Sequence, residues 1–300
     1  MILMTFLLSA TQPALCTEAP YGTGAGQTKP FLCSLAREPS SKDPIGGPSL
    51  VWPSKKATFK INSRGTLDIP SDQDIDGGVS ETVEFTVVRQ AFNTWTVPSC
   101  TDFQFIDGGL TASERVGFDF RRIDENENVV IFQNVWSHDS MVIGLTTATF
   151  NSQTGEIFDA DIELNDEQYD FTYKNTGVQT DLLNTVTHEV GHFIGFEHPD
   201  KSGSTLPSAC ASNATMSRTS TIGETAKRTL APTDELGLCY VYPSGGTVRY
   251  CVAPSGTQAP APVIRQIGAS LDDGCAQTSA GSSLAVALAC LLVLIQRRRK

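Results

Sequence analysis

Three histidines and a glutamate are gathered in the eleven residues His188-Glu189-Val190-Gly191-His192-Phe193-Ile194-Gly195-Phe196-Glu197-His198. On a helix, residues four apart project from one face, so His188 and His192 can present two imidazoles to one cation. Glu189 projects toward the same region, where it can take a proton from a metal-bound water. Gly195 lacks a Cβ and can adopt the left-handed backbone that ends a helix. The chain can then turn and return His198 as a third nitrogen. Three protein ligands leave the fourth position of a zinc ion to water, the arrangement of a catalytic rather than a structural site. The competing reading is an amphipathic core helix with incidental histidines. It must account for three of the chain's four histidines falling in so short a stretch.

The elements around this stretch must hold it. Val186, Val190, Phe193 and Ile194 give a helix from about Asp181 to Gly195 its apolar side. Upstream, Val83, Val87, Val88, Ala91, Phe92 and Trp95 recur at helical spacing, with Ser80 as a cap and Glu81 and Glu84 in the first turn. Strands are expected at 57–61, 101–106, 129–132 and 145–150. The turn Asn151-Ser152-Gln153-Thr154-Gly155 leads into Glu156–Asn165, completing a hairpin. Phe158, Ala160, Ile162 and Leu164 would share one face, and Asp159, Asp161 and Glu163 a wet acidic one. Residues 202–229 read as a polar loop. A closing helix is expected over Leu230–Tyr240, capped by Thr233, with Asp234 and Glu235 in its first turn.

The extended HExxHxxGxxH pattern resembles that of the metzincin metalloproteases, and specifically their matrixin-like branch. The resemblance covers roughly residues 48–245. Ala214-Thr215-Met216-Ser217 is similar to the family's turn whose methionine, here Met216, lies beneath the zinc. Gly155–Ile162 resembles the strand beside the edge of the sheet, and Leu145–Phe150 the edge strand. Ala91-Phe92-Asn93-Thr94-Trp95 resembles the family's first long helix. The resemblance implies an α+β fold: a twisted, mostly parallel sheet with an antiparallel edge strand, two long helices and a C-terminal helix. It implies one catalytic Zn2+ on His188, His192 and His198, Glu189 as general base, and substrate pairing antiparallel to the edge strand. The expected activity is that of a zinc metalloendopeptidase cutting extracellular proteins or peptides.

Some features depart from the family. Pro199 after the third histidine is more like the serralysin branch. Arg218 stands where astacins and serralysins carry a metal-reaching tyrosine, so that role does not transfer. A second, structural zinc would need more histidines than His138, which is expected to be an exposed loop residue. Cys33 lacks the flanking Arg and Gly of a latency switch. Calcium is compatible with Asp159, Asp161 and Asp166, though none is assigned as a ligand.

The chain has 300 residues, 40% hydrophobic and 18% charged, with a formal net charge of -11. That charge disfavours nucleic acid, whose phosphates would be repelled. Eight cysteines without a CxxC pair point to disulfides in an exported protein, in a pairing that spacing does not reveal. Cys33, Cys100, Cys210, Cys239 and Cys251 lie in the body, so one is left over unless Cys16 joins them. Residues 2–8 are apolar with one threonine and read as a leader core, or else as a buried strand. Leu284–Ile295 is an apolar run between Gly281-Ser282-Ser283 and Arg297-Arg298-Arg299-Lys300. It is short against the roughly 20 residues of an ordinary spanning helix. With Cys275 ahead of it, this tail resembles a myxobacterial-type sorting signal, processed near Cys275 by sorting machinery and held in the membrane until then. A plain tail anchor is the alternative. The expected organisation is a signal peptide (1–16), an extended lead-in (17–47), a catalytic domain (48–245), a linker (246–270) and a sorting or anchor segment (271–300), with the body at the cell surface or outside the cell. Two other readings compete: a non-catalytic, zinc-stabilised surface-anchored binding protein, and a hydrolase acting on something other than peptide.

Overall fold

The computed structural model describes residues 31–36, 46–69, 82–199 and 211–254, and the backbone of 262–266 and 275–277. In chain order the elements are β1 (Leu32–Cys33), β2 (Lys56–Asn62), α1 (Val83–Thr94), β3 (Gln104–Thr111), β4 (Val129–Gln133), β5 (Val142–Asn151), β6 (Ile157–Asn165), β7 (Phe171–Thr172), β8 (Thr180–Asp181), α2 (Leu182–Phe193), β9 (Phe196–Glu197), β10 (Thr219–Ser220), α3 (Pro232–Val241), β11 (Pro262–Gln266) and β12 (Cys275–Gln277). The leader reading, the Ser80 cap, Cys16, Cys210 and the run 284–295 lie outside the described residues. Among the described residues no helix is long and apolar enough to cross a membrane.

The main sheet runs β10-β12-β5-β6-β4-β2-β3, with β11 also on β5. Strands β3, β2, β4 and β6 are mutually parallel, and β5 is antiparallel to β6. This is the mixed α+β arrangement that the resemblance implies, with α1 serving as the crossover between the parallel strands β2 and β3. Both α1 and α2 are 12 residues long. They pack on one another through Phe92 and Phe193, whose rings meet edge to face with centroids 5.5 Å apart. The indole of Trp95 donates to the Thr187 carbonyl at 2.8 Å, and Trp52 does the same to Phe193. Two large aromatic residues are thus buried with their one polar atom satisfied.

Several expectations are corrected. The face carrying Asp159, Asp161 and Glu163 is not wet: the three are 1%, 1% and 6% exposed. The stretch 112–128 folds over it, and the backbone N–H groups of Gly117 and Val129 donate to Asp161. Residues 31–36 of the expected lead-in belong to the fold, because β1 pairs antiparallel with β9 and Cys33 is bonded to Cys251. A second disulfide joins Cys100 to Cys239. Helix α3 begins after Ala231 with Pro232 at its first position, so Thr233 lies inside it and is not its cap. Helix α1 starts after Thr82, without a side-chain cap. His138 is not fully exposed, and it sits 3.5 Å from Glu163. Finally, β5 is longer than expected and is not a free edge: β11 and β12 lie along its outer side.

Candidate metal centre

Helix α2 is fixed at both ends. Its N-cap Asp181 accepts the Asn184 backbone N–H at 2.8 Å and pairs with Arg228. Its C-terminal carbonyls are also used: Gly195 N–H donates to His192 O, and the Tyr242 hydroxyl donates to Ile194 O at 2.7 Å. Gly195 has φ +95°, and a Cβ there would fall on the Leu50 carbonyl. The helix therefore ends in a left-handed residue that only glycine adopts without strain. The turn is then clamped from the lead-in. Ser34 donates from its backbone to Gly195 O and from its hydroxyl to Phe196 O. This clamp brings His198 back over the helix.

The three histidines meet. His198 Nε2 lies 3.1 Å from His188 Nε2 and 3.0 Å from His192 Nε2, and all three rings are buried. The Nδ1 atoms of His188 and His192 face the carbonyls of Thr215 and Phe196 at 2.7 and 2.8 Å. A carbonyl only accepts, so each Nδ1 carries the hydrogen and each Nε2 turns a lone pair inward. Burial above all holds His188 well below the usual imidazole range and so keeps it neutral. Converging neutral nitrogens repel unless a cation lies among them. Tetrahedral ligands at about 2.0–2.1 Å would stand about 3.3 Å apart, close to the spacing here. Among the described residues this is the one cluster of three such side chains. The donor set fits zinc.

Glu189 lies beside the cluster. Its Oε2 accepts the Thr146 hydroxyl at 2.7 Å, while Oε1 is buried with no hydrogen-bond partner. Burial raises its pKa; the His192 charge and the Thr146 bond pull the other way. Gly144 permits the close approach, since a Cβ there would press on Glu189. Met216 packs beneath the helix, where a Cβ at Gly191 would strike its sulfur. The turn around Met216 is itself pinned, with buried Asp234 of α3 accepting the backbone N–H groups of Thr215 and Met216 at 2.7 and 3.3 Å. Burial pushes the Asp234 carboxyl up to about 6 against those bonds.

His188, Glu189, His192, Gly195, His198 and Met216 thus all lie at one place. Cys275 is in β12, and only its backbone is described. Thr146, Gly144, Asp234 and Ser34 are additions from the structure. Asp234 appeared in the sequence only as a first-turn acid, and nothing local marked the others.

The loop after Met216 is tied to the start of α2. Lys227 donates from its backbone to Asn184 Oδ1 at 2.7 Å, and its buried ammonium reaches Thr219 O and Glu224. A family model described as Matrixin matches residues 66–221, just over half of the chain's 300 residues. The match takes in α1 and α2, β3 to β6, the three histidines and Met216. No curated protein matches the chain.

Proposed function

Because the chain belongs to the matrixin family of zinc metallopeptidases, we propose that it is an endopeptidase in which His188, His192 and His198 hold one catalytic zinc and Glu189 is the general base. The observation that carries this reading is the convergence of three Nε2 atoms beside an unpaired carboxylate oxygen. Zinc bound there would polarise the peptide carbonyl and make water nucleophilic near neutral pH.

The chain's own groups do the rest. Thr146 holds Oε2 of Glu189, so Oε1 is the atom left to receive the water's proton. Its raised pKa suits a base that must afterwards release that proton to the leaving nitrogen. The carbonyls of Thr215 and Phe196 fix the rings of His188 and His192. Met216 and Asp234 support them from below. The outer edge of β5, along which β11 and β12 lie, would be the edge that pairs with an extended substrate.

Extracellular protein or peptide is the proposed substrate class. Two disulfides support a body that resides in an oxidising compartment. Sorting and anchoring through the C-terminal tail, with processing near Cys275, is proposed on the pattern of residues 271–300 alone. Calcium binding is left as compatible with the buried acidic strand β6.

The test uses the full chain, a quenched peptide library and a zinc assay on the same sample. Glu189→Gln is expected to keep one zinc per chain while kcat falls by about 10²–10⁴. Full activity in that variant sinks the base assignment. One zinc without cleavage by any form of the chain favours the zinc-stabilised binding protein.

A further inference from the structure

We propose that the chain's own segment 262–277 docks in cis along β5 as a resident inhibitor of the slot that receives substrate. The proposal rests on the peptidase reading for what β5 does, but the docking itself is a matter of backbone register.

Strand β11 lies antiparallel to β5, with Pro262 opposite Asn151 and Gln266 opposite Thr147. Strand β12 continues in the same direction, with Cys275 opposite Gly144 and Ala276 opposite Val142. On its other side β12 runs parallel to β10, which follows the Met216 turn. Strand β12 therefore lies in a two-sided slot, antiparallel to β5 and parallel to β10, while β11 covers β5 from one side. An extended peptide substrate pairing antiparallel with β5 would need the same slot, and one strand's donors and acceptors cannot serve two peptides at once.

The register separates an inhibitor from a substrate. Between Thr147 and Gly144 on β5 there are two residues, Leu145 and Thr146, whereas between Gln266 and Cys275 on the docked segment there are eight. Paired strands advance together residue by residue, so β11 and β12 stand in different registers on β5 and are not one uninterrupted ladder. The gap is where Thr146 holds Glu189. Both flanks of the slot are filled, and Leu145 and Thr146 of β5, beside Glu189, lie between the two ladders. The segment is also covalently tied to a domain whose described part ends at Pro254. A short tether of this kind gives an effective concentration of about millimolar, enough to compete with dilute substrate.

The experiment compares the full chain with its Val263→Pro/Ile264→Pro variant. Successive N–H groups on a strand point to opposite sides, so two adjacent prolines remove a ladder donor whichever one faces β5. Hydrogen exchange is followed over residues 142–151, and kcat/KM is measured for a peptide supplied in trans. The expected result is that β5 amides facing the tail exchange at least about tenfold faster in the variant, while those facing β6 stay protected. The expected kcat/KM rises at least about tenfold, mainly through KM. Adding a synthetic peptide of residues 262–277 should reverse both changes, which excludes general unfolding of the variant.

Equal exchange in the two chains overturns the docking. A cut between residues 266 and 275, seen by intact mass in the zinc-loaded chain and absent in Glu189→Gln, would make the segment a substrate and overturn its inhibitory role. Faster exchange in a variant that cleaves no peptide would leave the docking standing and overturn the peptidase reading instead.

Discussion

Thr146 decides which oxygen of Glu189 would be open to act as the proposed base. Thr146 Oγ1 donates to Oε2 and also lies 3.1 Å from the Glu189 carbonyl, so the carboxylate has one held and one open atom. Valine has the same shape and no donor. Thr146→Val should therefore leave zinc content unchanged and lower kcat by about tenfold to a hundredfold, since the base loses its orientation but not its place. Thr146→Ser should recover most of the loss. Steady-state kinetics beside a metal assay checks this, and an unchanged kcat in the valine variant refutes the positioning role. The histidines differ in how they are held: His188 and His192 are fixed by carbonyls from elsewhere in the chain, whereas His198 depends on the turn that returns it.

That turn is an element-scale device. Gly195 ends α2 at φ +95°, with the Leu50 carbonyl where a side chain would begin. Gly195→Ala faces both left-handed strain and a clash with backbone that cannot swing away. It is expected to cost about 2–4 kcal/mol of stability and to weaken zinc binding by displacing His198. Thermal denaturation with and without chelator measures both effects; wild-type values for each would contradict the account. Strand β6 carries a second prediction. Burial pushes Asp159 up to about 6 and raises its neighbour Asp161 well above the usual range. A carboxyl whose folded pKa lies above its unfolded value near 3.8 binds more protons in the folded state between those values. Its contribution to stability is full at low pH and is lost as pH rises through about 6. Asp159→Asn, measured against wild type at each pH so that metal effects cancel, should be relatively more stable at pH 7.5 than at pH 5, by about 1.4 kcal/mol. A pH-independent difference would show that the pair is not protonated by the fold.

At the scale of the whole molecule, the ends of the domain are closed onto the site. Cys33–Cys251 spans 218 residues and ties the strand that clamps the Gly195 turn to the segment leaving α3. Ser49 adds to this closure by donating its backbone N–H to the Val252 carbonyl, and its hydroxyl accepts the Cys251 N–H. Breaking this bridge as Cys33→Ser/Cys251→Ser should lower stability by about 2–5 kcal/mol. It should also reduce zinc affinity, because β1 would no longer hold β9. A melting temperature and zinc affinity equal to those of wild type would show that the clamp is self-sufficient. The same closure places the following chain near the outer side of β5, where β11 and β12 pair.

The sequence by itself determined which side chains could form the candidate metal centre and where the elements nearest to it run. His188 and His192 share a face because 3.6 residues make a turn, and Gly195 can end the helix because it has no Cβ; covalent geometry acting over a few residues settles both. The α+β class followed from the resemblance, and the positions of α1, β2, β4 and β6 from hydrophobic period, which depends on local pattern. Tertiary structure alone decided the rest. Thr146 reaches Glu189 across 43 positions, and the Met216 turn hangs from Asp234 about one helix later. The acidic face of β6 alternates as a wet face would, yet the stretch 112–128 buries it. Ser34 grips the chain 162 residues away, and the strands β11 and β12 lie on β5. These contacts depend on strand register and on which surfaces close over one another. A one-residue slip would change them without altering any local pattern in the sequence.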